Sequence, residues 1–134
     1  MIEKDMVDVC YDYLSTLSNV KLIKKEVPFL SRCIDIVIVT NSDEIISIEF
    51  KVSKWRHAIE QATNHKLGAD KAYICLPKRR ITPTLFEAIN EAGLGLLMYD
   101  ANSDKKIVEA IPLEHPKENI AIFRTLLSDN ISKV

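Results

Sequence analysis

An α/β fold, with a central mixed sheet flanked by helices, is predicted for this chain from three observations. Segments with apolar residues at helical spacing alternate with short β-branched runs. The run CIDIVIV (33–39) is apolar on both faces apart from Asp35, which calls for cover on both sides of a sheet. Turn-forming residues separate the runs at short intervals, and no linker divides the 134 residues, a length able to bury about two-thirds of its unfolded surface in one domain spanning 1–134.

In chain order, residues 2–18 place Val7, Cys10, Leu14 and Leu17 on one helical stripe, which reaches Glu3 when extended back one turn. VKLIKKEVPF, CIDIVIV and IISIEFKV follow as three strands, with TNSDE as the turn between the last two. Ser53 is placed to cap a helix over 54–67 closed by Gly68, and KAYICLP is a short apolar strand. The order over residues 1–78 is thus αβββαβ. Beyond it lies a C-terminal α/β extension, 79–134. TPTLFEAINEAG reads as a helix with Pro83 in its first turn and Gly93 at its end. Strands LGLLMYDA and KIVEAIPL follow around the turn NSDK, and then a last helix over 118–128. The extension offers no chemistry of its own; its helices are expected to cover the sheet or to make a dimer.

A content of 47% hydrophobic and 28% charged residues excludes disordered and fibrous classes. The N-terminal MIEKDMVDVCYDY carries acids where a signal peptide is basic and then apolar, and no run approaches the roughly 18 apolar residues of a membrane span. A cytoplasmic location with no membrane partner is expected. The 3 cysteines, Cys10, Cys33 and Cys75, are odd in number and lack a C-x-x-C pair, so buried free thiols are expected rather than disulfides or zinc. His57, His65 and His115 share no metal spacing and are expected at or near the surface, with Trp55 a core anchor. The net charge of −1 hides an asymmetry: residues 51–80 hold eight Lys or Arg against two acids, a local +6 able to face a polyanion.

An ionised Asp35 in a strand apolar on both faces is costly without a partner. Glu49 and Lys51 share the side of IISIEFKV opposite Ile46, Ile48 and Phe50. A hairpin loop with an odd number of residues puts Asp35 on their face, opposite Glu49 or opposite Lys51; an even loop puts it beside Phe50. Opposed Cβ atoms lie about 4.5 to 5.5 Å apart, so an Asp35–Glu49 pair calls for a cation. A hard divalent ion such as Mg²⁺ binds through one or two carboxylates while keeping waters and substrate phosphate, which is the chemistry of phosphodiester hydrolysis. Lys51, one pleat along, is suited to stabilise charge on the phosphate or to hold the attacking water. The competing reading is a solvated edge on which Glu49 and Lys51 pair with each other while Asp35 simply accepts hydrogen bonds from the backbone or Lys51.

Asp35, then IEFK with Glu49 and Lys51, then AIEQA with Gln61 on the next helix, resembles the PD-(D/E)XK nuclease superfamily, whose members include restriction endonucleases and Holliday junction resolvases. Ile34 stands where the proline of the motif's name would be. The resemblance covers about 1–78 and implies a restriction endonuclease-like αβββαβ core that cuts DNA phosphodiesters with Mg²⁺ or Mn²⁺. It further implies Asp35, Glu49 and the Phe50 carbonyl as metal ligands, Lys51 as the catalytic lysine, Gln61 as a contact to site or substrate, and Glu3 as an acid from the first helix. Lys54, Arg56, Lys66, Lys78, Arg79 and Arg80 flank this face and are expected to position the DNA backbone. With little chain beyond the core, structure-directed cutting, a homodimer or targeting by a partner protein is expected. The alternative is a non-catalytic DNA-binding or assembly module on the same fold.

Overall fold

The computed structural model describes residues 2–114 and 119–134. The order is α1 (Glu3–Leu14), β1 (Val20–Phe29), β2 (Arg32–Thr40), β3 (Ile45–Phe50), α2 (Trp55–His65), β4 (Lys71–Pro77), α3 (Pro83–Ala92), β5 (Gly95–Tyr99), β6 (Ile107–Ile111) and α4 (Ala121–Lys133). The six strands form one mixed sheet in sequence order. β1, β2 and β3 are an antiparallel meander, β3, β4 and β5 run parallel, and β6 closes the edge antiparallel.

Period-2 alternation sorts the apolar side chains to two covered faces. In β4, Tyr73 and Cys75 join Met6, Cys10 and Leu14 of α1, with Ile36, Ile38, Ile48 and Phe50 from the neighbouring strands. Ala72, Ile74 and Leu76 go the other way, against Ala58 and Ala62 of α2 and Leu85 and Ile89 of α3. Leu127 and Ile131 of α4 return to Val27, Phe29, Ile34 and Val37, each burial worth about 2 kcal/mol. The C-terminal part thus widens the sheet and covers its first strands. No helix among the described residues is long and apolar enough to cross a membrane.

The β2–β3 loop has three residues, 41–43: the Asp43 amide donates to the Thr40 carbonyl and the Thr40 amide to the Glu44 carbonyl, each at 2.9 Å. Asp43 takes the left-handed conformation (φ 65°), as three-residue hairpin loops require at their last position. The loop is odd, and the register Ile36↔Ile48 carried one residue further sets Asp35 opposite Glu49.

Several expectations need correction. Ser53 does not cap α2; its N-cap is Lys54 and makes no side-chain capping bond. Gly68 lies beyond the C-cap Lys66, and spacing rather than handedness explains it, since a Cβ there would sit 2.8 Å from the Phe29 ring. α3 keeps its predicted signals: Thr82 accepts from the Leu85 amide, Pro83 starts the helix and Gly93 (φ 68°) ends it. α4 runs five residues past Ser128, and the start expected at Glu118 lies outside the described residues. Cys10 and Cys75 are buried, but Cys33 is exposed near the start of β2. His65 is 4% exposed rather than superficial, His57 is exposed as expected, and His115 lies outside the described residues. Trp55 packs half-buried against the α2–α3 core.

Candidate active site

Ile48 and Phe50 are anchored in the core under α1, so alternation turns Glu49 toward α2, where it is 4% exposed. The paired register of β2 and β3 stops at Ile36↔Ile48. Just past it, the Phe50 amide donates to Asp35 Oδ2 at 2.8 Å, so a side chain serves where the ladder would supply a β2 carbonyl. Asp35 and Glu49 lie close enough for the charge of Asp35 to oppose ionisation of Glu49.

Burial first, and then the charge of Asp35, push Glu49 up to about 8. Burial likewise raises Asp35, against the pull of the Phe50 amide. Both carboxyls feel the favourable charge of half-buried Lys51 and the opposing charge of Glu3. The solvated-edge reading fails for buried Glu49, while its expectation that Asp35 accepts a backbone hydrogen bond is met by the Phe50 amide. Glu3 lines a pocket of about 290 Å³ together with Asp35, Lys25 and Glu26, placing the first helix at this site.

Gln61 satisfies both ends of its amide when the nitrogen donates to Glu49 Oε2 at 3.1 Å and the oxygen accepts from Arg32 Nη1 at 3.2 Å. Glu49 Oε1 is left buried without a donor. A buried unmet acceptor beside a second carboxyl is a donor set that a divalent cation would satisfy. Among the described residues no group of three or more His, Cys, Asp or Glu side chains could hold a metal.

β3 and β4 run parallel with Phe50 beside Cys75, so the loop bearing Lys78, Arg79 and Arg80 emerges at the Lys51 end of the sheet. These three are exposed, and Lys78 lies 3.5 Å from Asp100. Lys54 and Arg56 are exposed at the start of α2, with Arg56 stacked 4.2 Å over Trp55. Lys66 differs: half-buried, its amine donates to the Ala92 carbonyl and ties α2 to the end of α3. Sequence reasoning missed Arg32, whose turn carries no local signal for a site. It placed His65 at or near the surface, not in the interior.

The sequence matches no protein-family model and no curated protein. Solved structures share the fold. A protein of unknown function from Silicibacter pomeroyi aligns with a TM-score of 0.58 at 17% identity, over 84% of this chain and 72% of its own. EndoMS in complex with double-stranded DNA gives 0.55 at 11% identity, over 75% of this chain and 45% of its own. A repair endonuclease from Pyrococcus abyssi gives 0.53 at 17% identity, over 72% and 46%. The chain spans less than half the length of either of these last two. The mixed six-stranded sheet flanked by four helices is an α/β arrangement of nuclease-like fold.

Proposed function

We propose that this chain is a deoxyribonuclease, dependent on Mg²⁺ or Mn²⁺, that hydrolyses DNA phosphodiester bonds. The observation that carries the reading is the meeting of Asp35 and Glu49 at the end of the β2–β3 ladder, with Lys51 two residues on. Asp35, Glu49 and the Phe50 carbonyl would hold the ion. When bound, the cation supplies Lewis-acid polarisation of the phosphodiester and acidifies water. Lys51 meets charge developing on the phosphate oxygens and orients the attacking water. Gln61 fixes the carboxylate plane of Glu49 by holding Oε2, and Glu3 restrains the approach from α1. Lys54, Arg56, Lys78, Arg79 and Arg80 position the DNA backbone without reading sequence.

Likeness in fold to EndoMS and to a repair endonuclease supports this reading, in which cutting is structure-directed, made by a homodimer or targeted by a partner protein. The test is a panel of linear, nicked, branched and single-stranded DNA with Mg²⁺ or Mn²⁺. Wild type is expected to cut at least one substrate, while Asp35→Asn and Lys51→Ala, folded by circular dichroism, lose at least about 100-fold. DNA binding with steep salt dependence but no cut under either metal would assign the chain to the non-catalytic binding module instead.

A further inference from the structure

A second concave site adjoins the carboxylates without sharing them. It lies between the β1–β2 turn and the last turns of α2, encloses about 130 Å³, and is lined by Phe29, Ser31, Arg32, Gln61, Asn64 and His65 among others, none of them acidic. Arg32 is exposed and makes no ion pair among the described residues. One nitrogen of its guanidinium is engaged by Gln61 at 3.2 Å, which leaves other donors of the fork for an acceptor in the pocket. The Ser31 hydroxyl and the Asn64 amide have no hydrogen-bond partner among the described residues. His65 forms part of the wall, 4% exposed, with Nδ1 unpartnered.

A cavity with an unpaired guanidinium, a free hydroxyl and a free amide, and no carboxylate, selects an oxyanion. Arginine is the residue best shaped for phosphate. Gln61 joins this pocket to Glu49 through a single amide, which makes the two sites immediate neighbours. We propose that the pocket binds a DNA backbone phosphate next to the one that is cut, with Arg32 as its cation. This rests on the nuclease reading for the word "cut", and on Arg32 and its neighbours for the phosphate. Occupation also holds Arg32 against Gln61, and through it Glu49, so the same arginine positions the substrate and steadies the carboxylate.

The experiment measures affinity for a short DNA duplex between about 50 and 200 mM salt, with Ca²⁺ in place of Mg²⁺ to separate binding from cleavage. Arg32→Ala is expected to make the log–log salt slope shallower by about 1, and Lys21→Ala, at the opposite end of β1, to leave it unchanged. Duplexes carrying one neutral methylphosphonate then locate the contact. Wild type loses affinity at a position flanking the cut, whereas Arg32→Ala is insensitive at that position. An unchanged slope, or equal sensitivity of both proteins at every position, overturns the proposal. So does a wild type that binds no DNA. Cleavage with an unchanged slope sinks the subsite alone, while a changed slope in a protein that cuts under no metal sinks the nuclease reading and leaves the phosphate contact standing.

Discussion

Asp70 accepts the amide of Ile45 at the start of β3, at 2.7 Å, and Asp35 accepts that of Phe50 at its end, at 2.8 Å. The backbone task is the same, yet the surroundings differ. Arg124 reaches Asp70 with Nε at 3.0 Å and Nη2 at 3.1 Å, and Asn119 adds a donor at 2.7 Å. Burial raises Asp70, but these donors outweigh it and hold the carboxyl below its ordinary range. Asp35 instead faces a second acid, and burial leaves both carboxyls above theirs. One end of the strand is a closed account of donors and acceptors. The other retains an unmet acceptor on Glu49, which is where a functional site is expected.

The largest effect separating the two ends belongs to Asp70. Replacing it with alanine strands the Ile45 amide and the Arg124 fork, and the loss is roughly 2 to 3 kcal/mol after allowing for the partly exposed guanidinium. Urea unfolding at pH 7 is the measurement. Glu49→Gln should do the reverse in metal-free protein at pH 8, stabilising by about 2 kcal/mol because a neutral amide replaces a carboxyl that burial disfavours when charged. A neutral or destabilising result would show that Glu49 is satisfied after all.

The pH dependence follows from the same contrast. Between about 4.5 and 8 the folded state holds a proton on Glu49 that the unfolded chain has released, so metal-free stability falls as pH rises across that window. The slope reaches at most about 1.4 kcal/mol per pH unit and should flatten in Glu49→Gln. Asp70 has the opposite sign: its contribution is present above the ordinary carboxylate range and is lost as pH falls below it. The smallest expected effect is that of the cation. Mn²⁺ at ten times its dissociation constant should stabilise wild type by about 1.4 kcal/mol and leave Asp35→Asn unchanged in a thermal melt.

Much of this was legible along the chain, because helices and strands announce themselves through the residues they contain. Cys10 and Leu14 of the α1 stripe, the alternation through Ile46, Ile48 and Phe50, and the Thr82–Pro83–Gly93 boundaries of α3 are local patterns with local causes, whereas Met6 rather than Val7 completes the buried stripe and Leu17 lies past the helix end. Burial of β2 on both faces, and hence the anomaly of Asp35, belongs to the same class. Ser53 misled because capping depends on backbone geometry as well as residue type, and the N-cap falls one residue later, at Lys54. Asp43 was a usable signal for loop parity, since aspartate tolerates the left-handed conformation, but TNSDE by composition alone permits either count.

Residue types and their spacing were therefore enough to name the elements, the anomalous acid and its candidate partners. Folding alone decided that Asp35 faces Glu49, that Gln61 reaches the Glu49 carboxylate while Arg32 reaches Gln61, and that His65 turns inward. The physical reason is the range of the interactions. Propensity and periodicity act between residues a few positions apart, whereas the meeting of β2, β3 and α2 depends on a register and a packing angle that the whole sheet selects.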